Sequence, residues 1–172
     1  MKITRTDLKF LIPFLLYVAF GIWGAYTFKY VENHKALTIA FKWFAAPSII
    51  LGVIYSYYSV FKRGAEQAQW KKVLGLIALS IIFTLMFLRS SQGYLILWNA
   101  HFGKQDQITL KGTVSRLDYP KKKKMLNSYA IYIEVDITGE RINLDVPTND
   151  YKVGESFEKK MIKGSLGIIY SH

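Results

Sequence analysis

The sequence predicts an α+β membrane protein in which three transmembrane helices precede a small antiparallel β-sandwich or partly open barrel of about five strands. Three stretches of sixteen to nineteen residues carry no charge, and after residue 103 apolar and polar side chains alternate. Residues 1–103 contain eleven Lys/Arg but only three Asp/Glu, whereas residues 104–172 contain twelve and nine. Basic flanks with few acids are typical of a chain that crosses a bilayer. We therefore divide the chain into a transmembrane domain, 1–103, and a β-domain, 104–172.

The first two predicted spans are residues 10–28 and 44–61, which are nineteen and eighteen residues long and uncharged. At 1.5 Å per residue, each covers roughly 27–28 Å, close to the ~30 Å hydrocarbon core of a bilayer. The residues between them, 29–42, have mixed charge and are expected to form a polar loop, with ALTIAF as a short interfacial helix.

The third span starts at Val73, and its uncharged part, 73–88, covers only roughly 24 Å. Two arrangements remain open. Arg89 ends the helix at the membrane boundary with its charge turned toward the head groups. Alternatively, the helix continues to about Trp98, and Arg89 is an ionisable pivot inside it, which is a functional hypothesis because burying that charge is costly.

The distribution of basic residues between the loops predicts the orientation. Seven Lys/Arg lie in the N-terminal tail and the second loop, against five in the first loop and after the third span. The side with more basic residues is normally cytoplasmic. We expect a cytoplasmic N-terminus and a β-domain on the outer, extracytoplasmic side.

Five runs in the C-terminal part have the period of half-buried strands. They are 108–114, 129–137, 141–146, 156–161 and 166–170. Thr138-Gly139 is predicted to form a tight hairpin turn between the second and third runs. A domain this small is near the lower limit of independent stability, so we expect it to depend on the helices or on a partner.

Three segments, KGTVSRLDY, YAIYIEVDITGERINL and YKVGESFEKKMIKGSLGIIYS, carry a resemblance over residues 108–170. They resemble small β-domains attached to bacterial inner-membrane helices and are similar, more loosely, to the OB-like domain of NfeD-type membrane proteins. The matching residues are Gly112, Thr113, Val114, Asp136, Gly139, Val153, Gly154 and Glu155. The resemblance implies an anchored, adaptor-like domain in the inner membrane of a bacterium and supplies no catalytic residue.

Small residues at four-residue spacing on the first two spans are candidates for close helix packing, within the chain or with a partner. They are Gly21, Ala25, Ser48, Gly52 and Ser56. The run Lys121, Lys122, Lys123 and Lys124 either contacts an anionic surface or forms a solvated hairpin tip.

The residue types needed for a reaction are not grouped in the sequence. The chain has no cysteine, and its three histidines are scattered. Asp136, Glu140 and Asp145 surround one hairpin; ordinary surface ion pairs are the favoured interpretation over acid–base chemistry or Ca²⁺ binding. We expect no catalytic residue, no cofactor and no metal.

These observations favour a non-enzymatic accessory or interaction protein of a bacterial envelope system, in which the β-domain and helices bind another membrane or envelope protein or a second copy. An immunity or regulatory subunit would be one such protein. The alternative is an oligomeric transport or channel element with the second and third spans along the path. Lipid is an expected contact, whereas nucleic acid and a small-molecule substrate are not.

Overall fold

The computed structural model describes residues 4–63, 68–118 and 129–171. It contains three long helices: α1 (Arg5–Tyr26), α2 (Asn33–Tyr57), which a π-helical turn continues to Arg63, and α3 (Gln69–His101). Five strands follow, namely β1 (Asp106–Asp118), β2 (Tyr129–Val135), β3 (Arg141–Val146), β4 (Ser156–Lys163) and β5 (Ile169–Tyr170). All three helices are long and apolar enough to cross a membrane, and the predicted order of helices and strands is confirmed.

Helix α1 begins five residues before the predicted span because a capping box starts it. The Thr4 hydroxyl and the Asp7 carboxylate lie 2.6 Å apart, and the Thr4 N–H donates to the same carboxylate oxygen over 2.6 Å. The reciprocal bond from the Asp7 N–H to the Thr4 hydroxyl is 3.4 Å. These contacts pair donors that a helix N-terminus otherwise leaves unsatisfied.

The prediction of a polar loop over 29–42 was wrong for most of its length. Helix α2 begins at Asn33, so the ALTIAF segment is its second and third turns rather than a separate interfacial helix. Ala36 and Ala40 are fully buried at four-residue spacing. A count of uncharged residues misses this part of the helix because it contains Lys35 and Lys42. A helix can carry such charges on one face and still bury Ala36 and Ala40 on another.

Of the two arrangements for the third span, the structure has the continuous helix. Helix α3 runs unbroken through Arg89 and beyond Trp98 to His101, 33 residues in all. At 1.5 Å per residue it is roughly 50 Å long, well beyond the ~30 Å hydrocarbon thickness.

The chain divides into two compact units. The helical unit comprises Met1–Ala25 and Leu37–Leu95, and the β-unit comprises Tyr26–Ala36 and Ile96–His172. The β-unit therefore includes the connection between α1 and α2 and the last turns of α3, which lie outside the predicted boundary at residue 104.

The five strands form one curled antiparallel sheet, a half-barrel, in the order β3-β2-β1-β4-β5. The long strand β1 pairs with β4 through its first half and with β2 through its second half. A register shift between Val114 and Arg116 marks an irregularity in the second pairing. Gly112 lies where the two ladders overlap, and a Cβ there would stand 2.3 Å from the Glu134 carbonyl oxygen. The bend thus requires the absence of a side chain.

The predicted alternation describes β1 and β2 well, because Leu110, Val114, Ile131 and Ile133 all lie in the buried core. It fails at one hairpin tip. The second strand ends at Val135, and Ile137 lies in the turn with 91% of its surface exposed.

The turn that follows β2 is longer than the predicted Thr138-Gly139 turn. The Gly139 N–H donates to the Val135 carbonyl over 2.8 Å, and Gly139 has a φ of +66°. The third strand differs as well, because Asn143, expected on the polar face, is buried. The fifth run forms a strand only at Ile169–Tyr170.

Candidate functional site

A short piece of the α1–α2 connection closes the half-barrel. We call Lys29–Val31 the closing segment. Lys29 and Ser171 exchange two backbone hydrogen bonds of 2.8 Å, and the Asp145 N–H donates to the Val31 carbonyl over 3.0 Å. Ser171 directly follows β5 and Asp145 lies in β3, and these are the two edge strands of the sheet. The closing segment therefore pairs with both edges, whose backbone groups would otherwise be unpaired.

Tyr30, at the middle of the closing segment, adopts an unusual backbone conformation. Its φ of 51° makes it the only non-glycine residue with positive φ among the described residues. This left-handed conformation costs a residue with a Cβ roughly 1–2 kcal/mol. The buried ring offsets the cost, since its hydroxyl lies 3.0 Å from the Tyr151 hydroxyl and the Lys159 ammonium stands 3.7 Å from the ring centroid.

Asn99 ties the end of α3 to the β4–β5 turn. Its side chain is fully buried. The amide oxygen accepts from the backbone N–H groups of Leu166 at 2.9 Å and Ile168 at 3.3 Å, and the amide NH₂ donates to the Ile168 carbonyl at 2.9 Å. Gly164 packs so closely that a Cβ there would lie 2.1 Å from the Asn99 carbonyl oxygen. One side chain thus pairs with three backbone groups of the turn.

A buried carboxylate follows the closing segment. The Glu32 side chain is 13% exposed, and its oxygen Oε2 lies 3.6 Å from the Lys35 ammonium, too far for a hydrogen bond. Burial raises the pKa of Glu32, and the nearby positive charge of Lys35 opposes the shift. Burial likewise raises the pKa of the Tyr170 hydroxyl, which donates to Gln105 over 3.0 Å.

One of the two most exposed apolar side chains of the strand region lines a groove, and the other lies in the turn whose two ends line it. Of the described residues from 104 onward, only Ile137 and Val153 are large apolar side chains with exposed surfaces, at 91% and 63%. Val153 lines a groove of about 460 Å³ together with the middle of β1 and both ends of the β2–β3 turn. We call it the end groove. Glu134 and Asp136 line it, and no basic residue is among its described lining.

Two of the predicted small-residue positions lie where helices of the same chain cross. At the α1–α3 crossing, a Cβ on Gly21 would stand 2.6 Å from Ser90, and one on Gly93 would stand 1.7 Å from the Gly21 carbonyl oxygen. At the α2–α3 crossing, a Cβ on Gly52 would stand 2.3 Å from the Thr84 hydroxyl. Backbones approach this closely only where side chains are absent.

The other predicted small residues on the first two helices, Ala25, Ser48 and Ser56, are buried or half-buried. Ser48 and Ser56 are buried, and the Ser56 hydroxyl donates to the Gly52 carbonyl over 2.7 Å. Ala25 is half-buried. The Ser56 hydroxyl is thus bonded to the backbone of its own helix.

Arg89 is exposed on the helical unit, and its guanidinium donates to the Gln92 amide oxygen over 2.6 Å. The polar residues that follow it face the protein. Ser90, Ser91 and Gln92 are buried, and the hydroxyls of Ser91 and Tyr17 lie 2.7 Å apart. The polar stretch after Arg89 is therefore a packing contact between α1 and α3.

The remaining predicted site residues give no cluster. Lys121, Lys122, Lys123 and Lys124 lie outside the described residues. Asp136 and Glu140 are exposed, whereas Asp145 accepts a side-chain hydrogen bond from Asn33. In the part of the chain that the structure describes, no three His, Asp or Glu side chains are grouped so that they could hold a metal ion.

Several of these contacts were missed by the sequence analysis. The Thr4–Asp7 capping box had a local signal, since a threonine followed three residues later by an acid is a helix-start pattern. Asn99 had a weaker one, as an amide directly after Trp98, the farther of the two predicted ends of the third span. Tyr30 had none, because its partners Tyr151 and Phe157 are more than a hundred residues away.

Comparison with known proteins found no matching family model, no matching curated protein and no matching solved structure. The resemblance to membrane-anchored β-domains therefore stays a prediction, and the function must be argued from the structure's own surfaces.

Proposed function

We propose that this chain is a non-enzymatic accessory protein of a bacterial inner membrane, anchored by α1, α2 and α3, that binds a partner protein through the end groove of its β-unit. In this proposal the N-terminus is cytoplasmic and the β-unit is extracytoplasmic. The observation that carries it is the exposed pair Ile137 and Val153 beside an acidic groove.

The composition of the β-unit supports three membrane crossings. The connection between α1 and α2 belongs to the same unit as the strands that follow α3. Both segments must then lie on one side of the membrane, as they do when each helix crosses once. The excess of basic residues in the N-terminal tail and the second loop supports a cytoplasmic position for those two segments, and therefore an outer position for the β-unit.

The end groove has the character of a protein-binding surface. Isolated exposed apolar residues are ordinary, but Ile137 sits at a hairpin tip and Val153 lines the adjoining groove. Burial of such apolar side chains against a partner removes them from water and stabilises the complex.

The charge of the groove indicates what the partner presents. The chain as a whole carries a net charge of +11, yet the end groove is lined by Glu134 and Asp136. A partner segment with an apolar side chain next to Lys or Arg complements this surface, because opposite potentials guide association and exclude other partners. We therefore assign the groove to a basic, apolar segment of another envelope protein.

Site-specific photo-crosslinking in native membranes tests this function. A photoreactive residue replaces Ile137 in one variant and Asn149, an exposed control, in another. We expect Ile137 alone to crosslink one envelope protein, and mass spectrometry to map the link next to a basic residue. Glu134→Lys with Asp136→Lys should abolish the crosslink, and reversing the partner's basic residue to an acid should restore it.

Two results would overturn the proposal. Crosslinking of Ile137 only to a second copy of this chain would make the groove a self-association surface. Crosslinking that survives reversal of Glu134 and Asp136 would show that the acidic groove does not select the partner. Ile137→Ala or Val153→Ala should each weaken binding by about tenfold, the loss expected when an anchor residue of an interface is truncated.

A further inference from the structure

Two lysines from distant parts of the chain meet over the β4–β5 turn. Lys35 lies in the first turns of α2, and Lys163 ends β4. A Cβ placed on Gly167 would be 3.7 Å from the Lys35 ammonium nitrogen and 3.7 Å from Lys163 Cε. Both side chains therefore end beside one bare piece of backbone, and a side chain at residue 167 would fill the space between them.

The turn itself is shaped to leave this space open. Gly167 has a φ of +72°, and its N–H donates to the Gly164 carbonyl over 2.8 Å. Residues with a Cβ rarely adopt this conformation, so the turn favours glycine here. The Asn99 side chain fixes the turn by accepting hydrogen bonds from the backbone N–H groups of Leu166 and Ile168. The space is thus held by backbone geometry rather than by mobile side chains.

The two lysines differ in their acidic neighbours. No acidic side chain of the described chain forms an ion pair with Lys163. Lys35 lies 3.6 Å from the Glu32 carboxylate oxygen Oε2, a long ion pair in which that oxygen has no hydrogen-bond partner. By contrast, Lys104 and Lys111 are paired with Asp106 at 3.0 Å and Glu158 at 2.7 Å.

We propose that Lys35 and Lys163, over the bare backbone of Gly167, bind the phosphate group of an anionic phospholipid. A phosphate satisfies two ammonium groups at once through charge-assisted hydrogen bonds. It also offsets the repulsion between two ammonium groups whose side chains approach the same glycine. The inference rests on the proposed membrane anchoring but is independent of the partner assigned to the end groove.

The position of the two lysines at the ends of candidate membrane spans favours a lipid phosphate over free phosphate. Lys35 is near the start of α2, and the turn is bonded to the last turns of α3, so both belong to the ends of candidate membrane spans. Trp98, on those last turns, and Phe102, just after them, are exposed and stacked with ring centroids 4.6 Å apart. Exposed aromatic residues at helix ends are typical of the head-group layer.

Lipid binding to the full-length protein in a neutral detergent tests the site. Native mass spectrometry gives the dissociation constants for phosphatidylglycerol, phosphatidylcholine and inorganic phosphate. The double variant Lys35→Gln and Lys163→Gln is compared with Lys104→Gln and Lys111→Gln, which removes the same charge from lysines that already have partners. At about 1 kcal/mol per lysine, the first pair should weaken phosphatidylglycerol binding about thirtyfold and the control pair by less than threefold.

Equal losses in the two double variants would overturn the site, since the effect would then be general charge. Equal affinity of the native protein for inorganic phosphate and phosphatidylglycerol would overturn the assignment to lipid. Resistance of each variant to carbonate extraction from membranes is measured in parallel. Release of the native chain from membranes by carbonate would instead refute the membrane anchoring on which both proposals rest.

Discussion

Asn99 offers the sharpest test of how the β-unit is held together. Replacing it with leucine keeps the branched shape of the side chain but removes both amide groups. The N–H groups of Leu166 and Ile168 then lose their acceptor, whereas the Ile168 carbonyl keeps the Gly164 N–H at 3.1 Å. Two donors are therefore left without partners in Asn99→Leu.

The magnitude follows from how buried these donors are. Ile168 is fully buried, so water cannot replace its lost acceptor, whereas Leu166 is half-buried and can be partly hydrated. An unsatisfied buried donor costs roughly 1–3 kcal/mol. We expect the β4–β5 turn to lose about 3 kcal/mol of local stability, which corresponds to about a hundredfold loss of amide protection.

Hydrogen exchange of the full-length protein in micelles measures this effect directly. The peptides that cover Leu166 and Ile168 should exchange about a hundredfold faster in Asn99→Leu, while peptides of the helical unit stay unchanged. Asn149→Ala, at an exposed asparagine of the same unit, should alter neither. Turn protection in Asn99→Leu within threefold of the native value would refute the assignment of these hydrogen bonds.

Two further predictions concern the helix crossing and the buried carboxylate. Gly93→Ala should destabilise the helical unit by roughly 2 kcal/mol because its Cβ would meet the Gly21 carbonyl at 1.7 Å. In the control Gly75→Ala, the nearest neighbour of the new Cβ is a methyl group at 3.4 Å, so this change should stabilise the helical unit by up to about 1 kcal/mol. Thermal unfolding in micelles compares the two variants. Equal shifts in their unfolding temperatures would contradict the close approach of Gly93 to Gly21. Burial raises the pKa of the Glu32 carboxyl above its ordinary value of 4.5, so the folded β-unit binds a proton at Glu32 more tightly than the unfolded chain does. The folded β-unit therefore loses stability as pH rises through the raised pKa. Glu32→Gln should remove that loss, measured as unfolding temperature against pH, and a variant with the native pH dependence would assign it to another group.

The accuracy of the sequence-based predictions depended on how local the signal was. The alternation in β1 and β2 correctly identified the buried side chains, because each strand buries one face against a single core. The start of α2 was missed because counting uncharged residues detects bilayer-facing surface, and the first turns of α2 carry Lys35 and Lys42 beside buried Ala36 and Ala40. Asn143 was misassigned for a related reason, since a strand pattern does not show what covers its outer face.

The candidate sites were less predictable than the fold. Spacing singled out the small residues Gly21 and Gly52, but the sequence left open whether they meet this chain or a partner. Only the coordinates show the Gly21–Gly93 and Gly52–Thr84 approaches within the chain. The end groove was not anticipated, because Ile137 was predicted to lie in a strand and instead occupies a turn.

The sequence by itself determined the order of helices and strands and the apolar faces of β1 and β2, because hydrophobic period and segment length are properties of neighbouring residues. Only the tertiary structure decided that Lys29–Val31 pairs with both edges of the half-barrel, that Asn99 bonds the β4–β5 turn, and that Lys35 meets Lys163 over Gly167. Each of these contacts joins residues more than sixty positions apart. Such pairings arise when backbone groups and charges at the edges of separately formed elements find partners as those elements pack, and no local pattern encodes them.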